Sequence, residues 1–130
     1  MQNCWLNLFV FGSVMFALSS GNSYYLYRHA TDMRKSFDGL AGIIQTEMKK
    51  NPLSGEVFMF INRKNDRIKL LRWESGGFVL YYKRLEKGTL ARSKKLSEGV
   101  CDAISWPELV HLIEGIVVEK YRQKARFQTV

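Results

Sequence analysis

The sequence has little of what most chemistries need. Its two cysteines, Cys4 and Cys101, form no CxxC pair, and the two histidines, His29 and His111, do not cluster with them. That spacing does not make a zinc site. Two unpaired thiols in a reducing cytoplasm is the simplest reading, and a single Cys4–Cys101 disulfide is the alternative. GxxxxGK[ST] and HExxH are absent, which removes the phosphate-loop and metalloprotease signatures. Asp32, Asp38, Asp66 and Glu74 are dispersed over a helix cap, a helix and two turns. Three convergent metal-binding carboxylates are not expected from them. His111 lies on a helical stretch with no second ligand at suitable spacing, so it reads as a surface or core residue. No catalytic residue, metal or cofactor is assigned.

A long apolar run is also missing. Residues 4–18, CWLNLFVFGSVMFAL, carry no charge, but the run is shorter than the roughly 20 residues of a membrane span. No Lys or Arg precedes Arg28, where a secretory signal would place its basic start. Met15 reads as the start of the folded protein and residues 1–14 as an upstream extension, with a weak membrane-seeking segment as the alternative. The expected organisation is this extension, a single α+β domain over 15–118 and a basic flexible tail over 119–130, in a cytoplasmic protein without membrane contact.

What the chain does have is positive charge. Net charge is +8, with hydrophobic and charged fractions of 46% and 25% that suit one globular domain with a modest core. Residues 63–95 hold eleven basic and three acidic side chains, whereas residues 96–118 hold four acidic and no basic ones. Such a balance favours a polyanion: nucleic acid first, then an acidic protein or an anionic membrane. The bland alternative is that the charge serves solubility alone.

The elements follow from pattern. Tyr24–Arg28 reads as a short strand at an edge, with Tyr24 and Leu26 on one side and Tyr25 and Tyr27 on the other. Residues 31–50 read as a helix capped by Thr31 and stopped at Asn51-Pro52. Met33, Phe37, Leu40, Ile44 and Met48 form its apolar stripe. Gly39 and Gly42 imply close approach of another backbone. Arg34 and Lys35 lie off the stripe, as a solvated face or as phosphate contacts near the helix start. Val57–Asn62, Arg67–Trp73 and Phe78–Leu85 are three strands joined by the turns 63–66 and 74–77, which means antiparallel hairpins. Closing the second hairpin pairs Trp73 with Phe78, Leu71 with Leu80, Lys69 with Tyr82 and Arg67 with Arg84. The first hairpin pairs Ile61 with Ile68 and Met59 with Leu70. Residues 91–99 read as a polar loop. Ser105, Pro107 and Glu108 start a second helix with a capping box. The expected fold is α+β: a three- to four-stranded antiparallel meander sheet packed with two main helices.

The sheet so drawn has an aliphatic side, expected to take the helices, and an aromatic, basic side. Rings that stack on bases and cations that meet phosphates are the composition of a nucleic-acid platform. Arg63, Lys64, Arg67, Lys69, Arg84, Lys87, Arg92, Lys94 and Lys95 are the candidate DNA contacts. Trp73, Phe78 and Tyr82 are the candidate stacking residues. Phe58 and Phe60 read rather as core.

Three long runs carry a resemblance: YYLYRHATDMRKSFDGL, NPLSGEVFMFINRKNDRIKLLRWESGGFVLYYKRLEKGT and ISWPELVHLIEGI. Together they resemble the accessory protein of the insertion-sequence-66 transposon family, the product of its second reading frame, over about residues 15–116. It is a different family from the RNA-guided nuclease that shares the name TnpB. The resemblance implies a bacterial mobile element and a role in transposition beside a separate transposase and another small accessory protein. It supplies no catalytic residue. The expected activity is non-catalytic accessory binding of transposon DNA. The alternatives are an adaptor that docks on the transposase and, less favoured, a nuclease.

Overall fold

In the computed structural model, residues 18–92 and 99–114 are described. The expected extension over 1–14, the start at Met15 and the tail over 119–130 lie outside them. The strands are β1 (Tyr24–Tyr27), β2 (Val57–Ile61), β3 (Arg67–Glu74), β4 (Gly77–Arg84) and β5 (Cys101–Ile104). The helices are α1 (Phe37–Thr46) and α2 (Trp106–Glu114).

The five strands make one mixed sheet in the order β4-β3-β2-β1-β5. This corrects the antiparallel meander of three or four strands, although the α+β class stands. β1 runs parallel to β2, with Tyr24 opposite Val57. A parallel neighbour needs a crossover, and α1 supplies it. β1 is therefore an inner strand and not an edge. Its other neighbour is β5, which pairs antiparallel with Tyr25 opposite Ala103 and which the sequence pattern does not show.

Both hairpins close in the expected register. Ile61 faces Ile68 and Met59 faces Leu70. Trp73 faces Phe78, Lys69 faces Tyr82 and Arg67 faces Arg84. Glu74 and Gly77 also pair, which leaves a two-residue turn of Ser75 and Gly76 with φ of 50° and 83°. Two positive φ values are the mark of the type I′ turn, whose twist matches the strands it joins.

Helices cover both faces, which corrects the expectation that the aliphatic face would take both. α2 brings Leu109 and Leu112 onto Val57, Met59, Ile61, Ile68 and Leu70. α1 brings Leu40 and Ile44 onto Phe58, Phe60 and Leu71, so those rings are core and fully buried. Burial of each such side chain is worth about 1.5–3 kcal/mol. Tyr24 and Leu26 join the first core and Tyr27 the second, as the strand alternation requires.

α1 starts later than the apolar stripe suggests. Its first intrahelical bond runs from Leu40 N–H to the Ser36 carbonyl. Thr31 does not cap it: the residue is buried, and its N–H donates to the Ile61 carbonyl at 2.9 Å. Residues 31–36 thus cross the end of β2 before the helix begins. At Gly39 the atoms nearest an added Cβ belong to the Lys35 side chain, and at Gly42 nothing lies within 4 Å. The close backbone approach expected of these glycines is absent. The second helix does start as expected. Ser105 N–H donates to Glu108 Oε1 at 2.9 Å, and Glu108 N–H donates to Ser105 Oγ at 3.3 Å.

Candidate nucleic-acid interface

The end of the sheet where β1, β2 and β4 finish and β3 and β5 begin gathers the basic side chains. The β2–β3 turn is built by Asn62. Its Oδ1 accepts from the N–H groups of Asp66 and Arg67, both at 3.0 Å, and its Nδ2 donates to Asp66 Oδ1 at 2.6 Å. Asn65 takes the left-handed conformation with φ of 58°. The turn is also held from behind, where Leu85 N–H donates to the Asp66 carbonyl and Leu90 N–H to the Asn65 carbonyl. Arg63 and Lys64 project from this fixed tip and are exposed.

Beside them Arg67 and Arg84 occupy directly opposed positions on β3 and β4. Like charges so placed repel. Each has a partial outlet: Arg67 Nη1 donates to Tyr82 Oη at 3.3 Å, and Arg84 pairs with Glu86 at 2.9 Å. Lys87 is exposed just beyond. Arg92 is half-buried, with its Nη2 donating to the Arg28 carbonyl at 3.3 Å. Lys94 and Lys95 lie outside the described residues.

Lys69 is placed differently from the other candidates. It is buried, and its ammonium donates to the Met33 and Lys35 carbonyls, each at 2.7 Å. Its charge holds the 31–36 crossing against the sheet. The sequence carried a signal for this: a lysine on an inner strand, facing a covered side, must find acceptors.

The three aromatic candidates do not form one platform. Trp73 and Phe78 meet edge to face at 5.0 Å next to the Ser75-Gly76 turn. Tyr82 is about 13 Å further along β4, at the basic end, and 48% exposed.

Between the 31–34 segment and the β2–β3 turn runs a groove of about 650 Å³, with Tyr82 in its wall. Asp32 lies on its rim and takes the Arg34 guanidinium on both carboxylate oxygens, at 2.6–3.1 Å. Those hydrogen bonds hold the Asp32 carboxyl at about 2, below its ordinary 3.8. Thr31 is not an expected contact, and Arg34 is expected there only as the alternative to a solvated face; the place of both in the groove depends on the crossing that Lys69 fixes.

Other chemistry finds little support in the geometry. Among the described residues no three His, Cys, Asp or Glu side chains gather as a metal site. Cys101 is a free thiol whose pKa burial pushes up, which disfavours the reactive thiolate. Among the described residues no helix is long and apolar enough to cross a membrane.

The family described as IS66 Orf2 like protein matches residues 22–123. Two relatives from Sinorhizobium fredii are similar to this chain. Uncharacterized protein y4hO is 37% identical over 86 residues, covering 66% of this chain and 73% of its own. Uncharacterized protein y4jC is 27% identical over 74 residues, covering 57% and 63% respectively. No solved structure matches.

Proposed function

The chain belongs to the IS66 Orf2-like family, and from that premise we propose that it is a non-catalytic accessory protein of insertion-sequence transposition that holds transposon DNA against the basic end of its sheet. The observation that carries this reading is the opposed pair Arg67 and Arg84 beside the exposed Arg63 and Lys64. Four cations on a rigid turn and two strand ends repel one another, and an anion lying across them relieves that repulsion. A DNA backbone supplies a row of such anions. Arg63, Lys64, Arg67, Arg84 and Lys87 are the proposed phosphate contacts. Lys69 is left out because its ammonium is already held. Lys94 and Lys95 extend the same basic stretch in sequence.

Binding of this kind releases counterions, so affinity falls steeply with salt. The test is fluorescence anisotropy of labelled transposon-end duplex titrated with protein at several salt concentrations. Changing Arg63, Lys64, Arg84 and Lys87 together to Ala should weaken binding and flatten the salt slope by about 3 to 4. Unchanged affinity in a quadruple variant with an intact circular dichroism spectrum would overturn the reading. Co-purification with the transposase from nuclease-treated lysate, without any DNA binding, would assign the same cations to an acidic protein surface instead. Divalent-metal-dependent cleavage of DNA, lost on changing one carboxylate, would make the protein a nuclease.

A further inference from the structure

The groove beside the basic turn has features that phosphate contact alone does not use. Tyr82 stands in its wall with the Lys69 ammonium 4.6 Å from the ring centroid. With that cation on one face and 48% of the residue exposed, the ring turns its opposite face to solvent. Arg67 Nη1 donates to the phenol oxygen at 3.3 Å, which holds the tip of the ring beside the basic turn. Thr31, a buried residue, also lines the groove, and its hydroxyl finds no hydrogen-bond partner among the described residues. An exposed aromatic face backed by a cation, a polar atom without a partner and cations at the mouth are what an unpaired nucleotide requires. The base stacks on the ring, its edge meets the hydroxyl, and its phosphate meets Arg63 or Arg67. Paired bases within a duplex keep both faces inside the stack and cannot use the ring.

We propose that this groove takes a single unpaired nucleotide at the end of, or next to, a DNA duplex whose phosphates lie on the basic tip. This rests on the DNA-binding reading above and adds the structure of the DNA to it. The exposed Arg63 and Lys64 adjoin the groove, so a strand entering it continues onto cations that meet its neighbouring phosphates. That continuity favours a nucleotide within a strand over a free one.

The test compares a blunt duplex with the same duplex carrying a short single-stranded extension, by anisotropy with the full chain at fixed salt. The extended DNA is expected to bind on the order of tenfold more tightly, as one added stacking contact provides. Tyr82→Ala should bring the ratio of the two affinities close to one. Tyr82→Phe, which keeps the ring and loses only the bond from Arg67, should retain most of the preference. Thr31→Val should reduce it partially. Equal affinity for the two DNAs, or a preference that survives Tyr82→Ala, overturns the nucleotide site while leaving the duplex reading intact. Absence of binding to either DNA overturns both.

Discussion

Lys69 and Tyr82 sit opposite each other on β3 and β4, with the lysine ammonium 4.6 Å from the ring centroid. The same ammonium donates to the Met33 and Lys35 carbonyls. One buried cation therefore ties together the sheet, the crossing before α1 and the ring in the groove. Lys69→Met keeps the apolar stem and removes the charge, leaving two carbonyls without their donor. Unfolding in urea should show a loss of about 2–3 kcal/mol. Arg63→Ala, an exposed cation on the turn, should stay within about 0.5 kcal/mol of the parent. Equal effects of the two changes would mean that Lys69 is only another surface charge.

The same lysine marks where the sequence stops being legible. The hairpins were readable because short turns fix register, and the pairs from Arg67–Arg84 to Trp73–Phe78 follow from closing one loop. The placement of β1 was not. It pairs in parallel with β2 across α1 and antiparallel with β5, far along the chain. Nothing local to Tyr24–Tyr27 encodes either partner. β5 is four residues long and includes Asp102, so it shows no alternating pattern. The false start of α1 has a similar origin. Thr31, Asp32 and Met33 look like a helix start, yet the Thr31 N–H is taken by the Ile61 carbonyl and the Met33 carbonyl by Lys69. Tertiary partners outbid the local cap, and the groove exists because they do. Its cations were visible as composition, but the union of Thr31, Arg34 and Tyr82 in one groove was not.

The capping box at α2 gives a prediction independent of the groove. Ser105 and Glu108 satisfy each other's backbone N–H groups. Ser105→Ala should cost about 1 kcal/mol in chemical denaturation. Ser105→Gly should cost only a few tenths, because glycine leaves the helix end open to water. If both variants cost the same, the hydroxyl is not what caps the helix.

Two groups contribute at opposite ends of the pH profile. Asp32 titrates at about 2 when folded, against an ordinary 3.8, chiefly through hydrogen bonds from the Arg34 side chain. Its contribution is complete above 3.8 and is lost as pH falls from there to about 2. Because the pair is exposed, the contribution is small and shrinks with added salt. The difference in urea midpoint between parent and Asp32→Asn should therefore narrow across that window. Tyr27 behaves in the reverse sense. Burial first, then its hydrogen bond to Glu47 and that carboxylate's charge, push the phenol from 10.0 up to about 12. Its contribution is complete below pH 10 and is lost as pH rises to about 12. Tyr27→Phe should flatten the alkaline decline, and a decline of unchanged steepness would mean that another group controls it.

The Ser75-Gly76 turn offers a way to raise stability far from the groove. Both residues have positive φ, which glycine adopts freely and serine does not. Asparagine tolerates the left-handed region better, and Asn-Gly is the preferred type I′ pair. Ser75→Asn should therefore stabilise the protein by about 0.5 kcal/mol, whereas Ser75→Val, branched at Cβ, should destabilise it by about 1 kcal/mol or more. Gly76→Ala should also cost about 1 kcal/mol. The turn lies at the end of the hairpin away from Arg67 and Arg84, so Ser75→Asn should leave DNA affinity unchanged while raising the urea midpoint. If Ser75→Asn failed to stabilise and Ser75→Val were neutral, the hairpin would be closing through a longer loop without left-handed residues. In that case the pairing of Glu74 with Gly77 would be the first feature to give way.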